Sequence, residues 1–302
     1  MISIIGSGKV GIAIAFLCIT NSLDDILLVN RTKNKAIGEA LDISNAVPGN
    51  SNVSIHGTDD FSKIIGSDII VITASTGIYL KSRTEMMDAQ VTMIKEITRQ
   101  IKKYSPLATI LIVSNPLDVL TFIFQNETKL SRNKVIGIAS SLDSSRFRYL
   151  LSEKFKIKQS QITNAIVLGE HGDSMVPIFS GVKIDKKNLL EIIDETEKNM
   201  ITNEIKNYWK SLRTFKSRSQ FGIAKNTFDV LSSIIKNDEV ILPASIVLNG
   251  EYGEKDIAMG ILVKINKDGI KEILEMKLNK SEHDLLKISA QTIREYLFHQ
   301  KY

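Results

Sequence analysis

Short runs of apolar residues alternate with stretches of helical periodicity through the first half of the chain. The apolar runs are rich in β-branched residues and lack polar alternation, which is typical of strands covered on both faces. Six strands are predicted, at Ile2–Ile5, Ile26–Val29, Val53–His56, Ile69–Thr73, Thr109–Val113 and Val135–Ile138. Helices are predicted between them at Val10–Asn21, Lys33–Ala46 and Met86–Tyr104. This order predicts an α/β fold with a doubly wound parallel sheet.

The pattern changes near Ser140, where the regular alternation ends. The second half is predicted to contain a helix, a strand, a long helical stretch broken near Ser217, three strands and a closing helix capped by Ser281. These elements are Leu142–Phe155, Ile162–Leu168, Leu189–Ile235, Val240–Leu248, Ala258–Ile265, Ile270–Met276 and Ser281–Phe298. We therefore predict two domains, residues 1–139 with the parallel sheet and residues 140–302 with an α+β arrangement.

The composition excludes several classes of protein. A chain of 302 residues with 43% hydrophobic and 24% charged residues can bury a sizeable core, so it is neither disordered nor fibrous. The net charge of +5 is mild and suits anionic small molecules as well as nucleic acid. A nucleic-acid role would rest on this charge alone, so no nucleic-acid partner is expected. Cys18 is the one cysteine, which excludes a disulfide framework and a thiolate metal site.

Nothing near the start of the chain is typical of a membrane or secretory segment. The apolar stretch Ile12–Ile19 is too short to span a bilayer, which takes roughly 20 residues. We expect a cytoplasmic protein with no membrane partner. His56, His283 and His299 lack metal-ligand spacing, so no metal is expected either.

A glycine-rich turn carries the first chemical signal. Gly6, Gly8 and Gly11 form a GxGxxG motif between the first strand and the first helix, with Lys9 and Val10 inside it. In that setting the glycines admit a dinucleotide pyrophosphate at the helix N-terminus. The first domain is therefore predicted to be a dinucleotide-binding Rossmann domain.

The end of the second strand bears on the choice of cofactor. NAD enzymes usually have an acidic residue there for the adenosine ribose, but this chain has Asn30 followed by Arg31. Arg31, with Lys33 and Lys35 nearby, could pair with a 2′-phosphate. We predict NADP or NAD as cofactor, with NADP slightly favoured; alternatively Arg31 is a solvated loop residue and NAD binds.

Two polar segments in the second half are candidates for catalysis. His171 lies between glycines in Gly169–Ser174, directly after an apolar strand. Asp143 and Arg146 are spaced i, i+3 and should share one face of a helix. This arrangement can place a carboxylate behind the imidazole and a guanidinium beside a substrate.

Together these segments resemble the lactate/malate dehydrogenase family over nearly the whole chain. The motifs stand in the family's order: Gly6–Gly11, Ser114–Asp118, Leu142–Phe147 and Gly169–Ser174. The continuation Ser174–Pro177 looks most like malate dehydrogenases of the lactate-dehydrogenase-like type from archaea and bacteria. The resemblance implies an NAD(P)-dependent oxidoreductase acting on a small 2-oxo/2-hydroxy acid, with malate favoured and hence a link to the tricarboxylic acid cycle. It also implies a homo-oligomer, either a dimer or a tetramer.

The resemblance assigns a role to each candidate residue. His171 would be the acid/base, Asp143 would orient it, and Arg146 would bind the substrate carboxylate. The remaining substrate-binding positions are Arg83, which would polarise the carbonyl, Asn115, and Ser219 with its neighbour Arg218. The cofactor-binding set is Gly6, Gly8, Lys9, Val10, Gly11, Asn30, Arg31, Thr73, Ala74 and Asn115.

Two departures from the family put the identity of the substrate in doubt. The lid segment Ser75–Arg83 looks one residue short, and Ile78 or Tyr79 stands where relatives carry arginine for malate or glutamine for lactate. The usual pair of glycines before the pocket serine is replaced by Ser217 and Arg218. Arg218 or Lys81 could supply the cation that a second substrate carboxylate needs.

Three other functions are weighed against the leading one. The altered lid is compatible with a weakened nucleotide-binding paralogue that acts as a sensor or interaction protein. A dehydrogenase for another 2-hydroxy acid, such as lactate, would use the same catalytic residues. An NAD-dependent glycosidase shares the architecture but needs a metal site.

Trp209 and Tyr208 are interpreted as packing or interface residues.

Overall fold

The computed structural model describes residues 1–76 and 83–302. The strands of the large sheet are β1 (Ile2–Ile5), β2 (Ile26–Val29), β3 (Ile55–Thr58), β4 (Ile69–Ile72), β5 (Thr109–Ile112), β6 (Val135–Gly137), β12 (Val240–Asn249), β13 (Lys255–Asn266) and β14 (Gly269–Ile273). The short strands of two smaller sheets are β7 (Ile162–Thr163), β8 (Ile166–Leu168), β9 (Val176–Ile178), β10 (Lys183–Ile184) and β11 (Lys187–Asn188). The helices are α1 (Lys9–Thr20), α2 (Lys33–Ser44), α3 (Arg83–Tyr104), α4 (Leu117–Thr128), α5 (Ser140–Phe155), α6 (Glu195–Phe215), α7 (Phe221–Lys236) and α8 (Lys280–His299).

The first six strands form the predicted parallel sheet. They lie side by side in the order β6-β5-β4-β1-β2-β3, and every neighbouring pair is parallel. The chain starts in the middle of this order and winds first to one side and then to the other, which is the doubly wound arrangement. Ile4 lies between Leu28 and Val71 in register, and all three side chains are buried. Continuous burial on both faces explains why β1, β2, β4, β5 and β6 lack polar alternation, whereas β3, at the edge of the sheet, is only partly buried.

The second half extends the same sheet with antiparallel strands. β12 joins β6 through Ser245 opposite Gly137, and β13 and β14 follow outward. A Cβ at Gly137 would lie 2.8 Å from the Cβ of Ser245, so glycine lets these two strands meet. The resulting nine-stranded sheet crosses the predicted 139/140 domain boundary. That boundary therefore stays a proposal about domains, while the Rossmann sheet followed by an α/β second half is confirmed.

Within the described residues, the buried apolar side chains form two clusters. The larger one fills both faces of the nine-stranded sheet and includes Cys18, which is fully buried. Burial raises the pKa of the Cys18 thiol to about 12. The smaller cluster lies under the short strands of the second half, where the rings of Phe147 and Phe179 pack edge to face with centroids 5.1 Å apart. α5 contributes to both clusters and so fixes the second half against the sheet.

Three features of the structure differ from the sequence predictions. α4 was missed because its apolar residues surround the helix, and such a helix shows no amphipathic period. The strand predicted at Ile162–Leu168 is divided at Asn164, whose φ of 57° interrupts the extended chain. The cap of the last helix is Asn279 rather than Ser281: its side chain accepts a hydrogen bond from the Glu282 backbone N–H at 2.9 Å.

Among the helices of the described residues, none is long and apolar enough to cross a membrane.

Candidate active site

The glycine-rich turn and the ends of two neighbouring strands are hydrogen-bonded to one another at the carboxyl edge of the sheet. Gly6 follows β1, and its carbonyl accepts a hydrogen bond from Thr73 Oγ1, after β4, at 2.7 Å. Ser114, after β5, donates from its hydroxyl to the carbonyl of Ala74 at 2.6 Å. Asn115 is the next residue and is exposed at the same edge. In doubly wound sheets this edge, where the strand order reverses, is where ligands bind.

The three glycines of the turn have different physical reasons. Gly6 has a φ of +112°, and a Cβ there would lie 2.7 Å from the backbone nitrogen of Ala74. A Cβ at Gly11 would lie 2.0 Å from the Gly6 carbonyl oxygen. Both positions require glycine because the backbone of a neighbouring segment lies too close for a side chain. A Cβ at Gly8 would meet nothing within 4 Å, which leaves open space at the start of α1.

The N-terminus of α1 is suited to an anion. Gly8 caps it without any side-chain hydrogen bond, and no acidic residue stands in the first turn. The backbone N–H groups of Lys9 and Val10, at the start of the helix, have no partner within it, and the helix dipole favours negative charge there. Open space, unused donors and favourable polarity fit the pyrophosphate of a dinucleotide.

Lys9 also connects the turn to the second half of the chain. Its Nζ donates to Ser217 Oγ at 2.7 Å, across 208 positions of sequence. Ser217 belongs to the segment between α6 and α7, with Arg218 exposed and Ser219 half-buried. The two candidate pocket residues therefore lie one and two positions from a contact with the glycine-rich turn. Their part in substrate binding stays a prediction.

Asn30 and Arg31 occupy the end of β2 in different ways. The side chain of Asn30 makes two hydrogen bonds. Its Nδ2 donates to Ser7 Oγ at 2.8 Å, and its Oδ1 accepts from the Thr32 backbone N–H at 2.9 Å. Asn30 thus ties the glycine-rich turn to the start of α2. Arg31 is exposed and donates to the carbonyl of Thr76 at 3.2 Å, which places its guanidinium beside the strand ends.

In the second half, the catalytic candidates Asp143, Arg146 and His171 form a hydrogen-bonded chain. Asp143 Oδ2 lies 2.6 Å from His171 Nδ1, and Asp143 Oδ1 accepts from Arg146 Nη1 at 3.0 Å. The Asp143 side chain is 1% exposed and that of His171 is 16% exposed. The predicted contact between Asp143 and Arg146 on one helix face is confirmed. Sequence positions 143 and 171 are brought together because β8 packs against α5.

The backbone of His171 is held by a second buried carboxylate. Asp118, near the start of α4, accepts the His171 N–H at Oδ2 at 2.7 Å and the Ser245 hydroxyl at Oδ1 at 2.6 Å. Asp118 is 3% exposed. The first half of the chain thereby fixes the loop that carries the imidazole.

Glu170 anchors the same loop from its other side. Ser174 donates to Glu170 Oε2 through its backbone N–H, at 3.1 Å, and through its hydroxyl. A Cβ at Gly172 would lie 2.2 Å from Glu170 Oε1, so the carboxylate in this position packs directly against the glycine. At the start of the loop, Gly169 and Gly260 exchange two backbone hydrogen bonds of 2.9 and 3.0 Å.

The buried carboxylates change the proton affinities of the site. Burial lowers the pKa of His171, but the charge of Asp143 and its hydrogen bond, supported by Asp118, outweigh burial and raise that pKa above its usual value. Burial raises the pKa of Asp118 to about 6, against the hydrogen bonds from Ser245 and the His171 backbone. The His171 ring therefore holds a proton to a higher pH than a free imidazole does, and it exchanges that proton at Nε2 because Nδ1 is engaged by Asp143.

Several predicted site residues fall outside the described part of the chain. Ile78, Tyr79 and Lys81 of the lid lie within residues 77–82, and for Arg83 the structure describes the backbone at the start of α3 but not the side chain. Within residues 1–76 and 83–302, no group of three or more His, Cys, Asp or Glu side chains could hold a metal ion.

Sequence reasoning missed two residues of the site. Asp118 was part of a quoted motif but received no role, and its Asp–Ser contact spans 127 positions. Gly260 is required because a Cβ there would lie 2.1 Å from Ser140 Oγ at the start of α5. A glycine inside a predicted strand often marks a close backbone approach, and this was the available signal.

Family models match both halves of the chain. The NAD-binding domain of lactate/malate dehydrogenase matches residues 1–137, and the alpha/beta C-terminal domain of lactate/malate dehydrogenase matches residues 140–300.

Solved structures of both activities resemble the chain. A lactate dehydrogenase from Cryptosporidium parvum, complexed with lactic acid and β-nicotinamide adenine dinucleotide, is 32% identical over 98% of this chain and 96% of its own, with a TM-score of 0.92. A malate dehydrogenase from Aeropyrum pernix is 30% identical over 99% and 98%, with a TM-score of 0.93. One from Salinibacter ruber is 26% identical over 99% and 97%, with a TM-score of 0.92. Since the two family models together cover nearly all of it, the chain belongs to the lactate/malate dehydrogenase family of oxidoreductases.

Proposed function

We propose that the protein is an NAD(P)-dependent dehydrogenase that interconverts a small L-2-hydroxy acid and its 2-oxo acid. The observation that carries the proposal is the chain from Arg146 through Asp143 to His171, with contacts of 3.0 and 2.6 Å. Oxidation of a hydroxy acid needs a group that accepts the hydroxyl proton and a cation that binds the carboxylate. His171 and Arg146 can meet these two needs, and buried Asp143 holds both.

Each residue of that chain has a task in the proposed reaction. In oxidation, His171 Nε2 accepts the hydroxyl proton of the substrate, and Asp143 stabilises the imidazolium that forms. The nicotinamide, when bound, supplies or accepts the hydride. Arg146 binds the substrate carboxylate through the N–H donors that Asp143 leaves unused. Asn115 and Arg83 contact the reacting oxygen, and Arg83 stabilises the charge that develops on it.

We propose malate and oxaloacetate as the substrate pair, and lactate and pyruvate as the alternative. The second carboxylate of oxaloacetate needs a cation in a poorly solvated pocket. Arg218 stands beside Ser219 where relatives have glycine, and Ser217 contacts Lys9 at the glycine-rich turn. We infer that Arg218 reaches the distal carboxylate.

The cofactor and the setting are part of the same proposal. The family model describes an NAD-binding domain. Exposed Arg31 beside Asn30 supports NADP as well, slightly favoured over NAD.

We further propose a cytoplasmic homo-oligomer, either a dimer or a tetramer. Exposed aromatic side chains near the α6–α7 junction support association, since Phe215 is 91% and Phe221 67% exposed.

The test is a reductase assay with a panel of 2-oxo acids, using NADH and NADPH in parallel. We expect turnover of oxaloacetate above that of pyruvate. The matched control is His171→Asn, which should bind cofactor normally and lose about 10²- to 10⁴-fold in turnover. Cofactor binding without turnover of any acid would favour the sensor hypothesis.

A second variant tests the choice of acid. Arg218→Gly should reduce oxaloacetate turnover selectively and leave pyruvate turnover largely intact. A wild-type preference for pyruvate, or equal losses with both acids, would refute the role of Arg218.

A further inference from the structure

One face of α6 leads to the candidate substrate-binding arginine. Ile201 and Ile205 are buried in the smaller apolar cluster, four residues apart. Tyr208, three residues further, lies on the same helix face one turn closer to the C-terminus. Its ring covers the Arg146 guanidinium, with the Arg146 Cζ 5.1 Å from the ring centroid. This distance is within the range of a cation–π contact.

The Tyr208 ring is itself held in place. Tyr149 lies one helical turn beyond Arg146 on α5, and its ring meets the Tyr208 ring edge to face, with centroids 6.4 Å apart and planes at 90°. Edge-to-face packing of this kind is favourable for aromatic pairs. The Tyr208 side chain of α6 therefore packs against two residues of α5, Arg146 and Tyr149, that lie one helical turn apart.

Arg146 is therefore fixed from two directions. Asp143 accepts a hydrogen bond from Nη1 at 3.0 Å, while the Tyr208 ring packs against the guanidinium. The Arg146 side chain is 10% exposed, and cation–π contacts are stronger where water is excluded. A substrate carboxylate can approach along the N–H donors that Asp143 leaves unused, which lie in the plane of the guanidinium.

We propose that Tyr208 is a positioning residue that holds Arg146 in the orientation that receives the substrate carboxylate. This inference rests on the proposed function of Arg146. An arginine kept in one rotamer loses less conformational freedom when the substrate binds. The aromatic face, rather than the bulk or the hydroxyl of Tyr208, carries the role.

A set of variants separates this role from simple packing. Tyr208→Leu removes the aromatic face and keeps an apolar side chain, whereas Tyr208→Phe keeps the face and removes the hydroxyl. Trp209→Leu is the matched control, because its ring lies over Arg213 and Lys210 and not over Arg146. Tyr208→Met replaces Tyr208→Leu if the latter does not fold.

The kinetic readout is the Michaelis constant for the 2-oxo acid. Tyr208→Leu should raise it by about 3- to 30-fold, the range that the loss of a cation–π contact implies. Cofactor affinity and the pH profile of kcat, which report on the glycine-rich turn and on His171, should stay unchanged. Tyr208→Phe and Trp209→Leu should resemble the wild type. An unchanged Michaelis constant in Tyr208→Leu, or equal damage in Tyr208→Phe, would overturn the proposal.

A readout without substrate keeps the two proposals apart. In ¹⁵N-arginine-labelled protein, the Arg146 Nε–H signal is assigned by its absence in Arg146→Lys. Its exchange with water should be faster in Tyr208→Leu than in the wild type and in Tyr208→Phe. If the wild type reduces no acid, the proposed function fails, but this measurement still decides the contact. Equal exchange rates in all three proteins would show that Tyr208 does not hold Arg146.

Discussion

Among single residues, Asp118 makes the stability of the fold depend on pH. Its carboxyl has a pKa of about 6 in the folded protein against an ordinary 3.8, because it is buried. The raised pKa means that its contribution to stability is complete below pH 4 and is lost as the pH rises through 6. At 1.36 kcal/mol per pKa unit, the loss is roughly 3 kcal/mol.

Asp118→Asn should therefore gain stability relative to the wild type as the pH rises. Asparagine can accept from the His171 N–H and donate to Ser245, and it carries no charge to bury. Urea unfolding at pH 4.5 and pH 7.5 measures the difference in the free energy of unfolding. Asp60→Asn is the control whose difference should stay constant, because hydrogen bonds from Ser62 lower the pKa of exposed Asp60 below its ordinary 3.8 and its carboxylate is charged at both pH values. A difference for Asp118→Asn that does not vary with pH would contradict this account.

Arg31 supplies a prediction about the cofactor. Arg31→Ala should weaken NADPH by about tenfold or more and NADH much less, because only NADPH has a 2′-phosphate that could pair with the guanidinium. Fluorescence titration with both cofactors gives the ratio of dissociation constants, and NADH serves as the internal control for the lost Thr76 contact. An equal loss for both would show that Arg31 does not contact the phosphate.

The sequence could predict some of these residues and not others. Asp143 and Arg146 lie one helical turn apart, so local spacing was sufficient to predict their contact. The anchoring role of Asp118 depends on Ser245 and His171, which are 127 and 53 positions away. Tyr208 was expected to be a packing residue, and nothing local indicates that it packs against a guanidinium. Contacts between distant segments carry no pattern in the sequence.

At the scale of elements, two glycines of one strand–helix unit give a matched pair of variants. A Cβ at Gly57, in β3, would lie 2.2 Å from the carbonyl of Ala36 in α2, whereas a Cβ at Gly38 in α2 would meet nothing within 4 Å. Gly57→Ala must separate α2 from β3 and should lower the free energy of unfolding by about 1 to 3 kcal/mol. Gly38→Ala should add about 1 kcal/mol, because alanine is the better helix former. Thermal unfolding of both variants checks the signs, and destabilisation by Gly38→Ala would contradict the geometry.

Elements were predictable where their hydrophobic pattern was unambiguous. Five of the six parallel strands were found because they are buried on both faces, and the break between α6 and α7 falls at Ser217 as predicted. α4 was missed because it is buried all round. Ile162–Leu168 was predicted as one strand, but Asn164, inside this apolar run, has a left-handed backbone that divides it. In each failure, tertiary surroundings rather than periodicity decided the structure.

For the whole molecule, the nine-stranded sheet makes the two halves one cooperative unit. β6 and β12 pair across the predicted domain boundary, and both halves contribute to the larger apolar cluster. Trp209, the one tryptophan, lies on α6 in the second half. NADH bound at the glycine-rich turn should therefore stabilise the surroundings of Trp209 as well.

At a concentration of 100 times its dissociation constant, NADH should add about 2.7 kcal/mol to the free energy of unfolding. Denaturant unfolding followed by Trp209 fluorescence and by circular dichroism should give coincident curves, both shifted by NADH. A shift in circular dichroism with an unmoved Trp209 transition would indicate two independent domains.

The burial of Cys18 has a practical consequence for spectroscopy. A thiol whose pKa is about 12 and which is fully buried offers almost no thiolate to maleimides or to methanethiosulfonates at neutral pH. The natural chain is therefore a ready background for attaching single probes, with no cysteine to remove first. A cysteine introduced at Leu107, which is 86% exposed, would be labelled selectively. A second one at Ser217 would allow distances between the two halves to be followed as cofactor and acid bind.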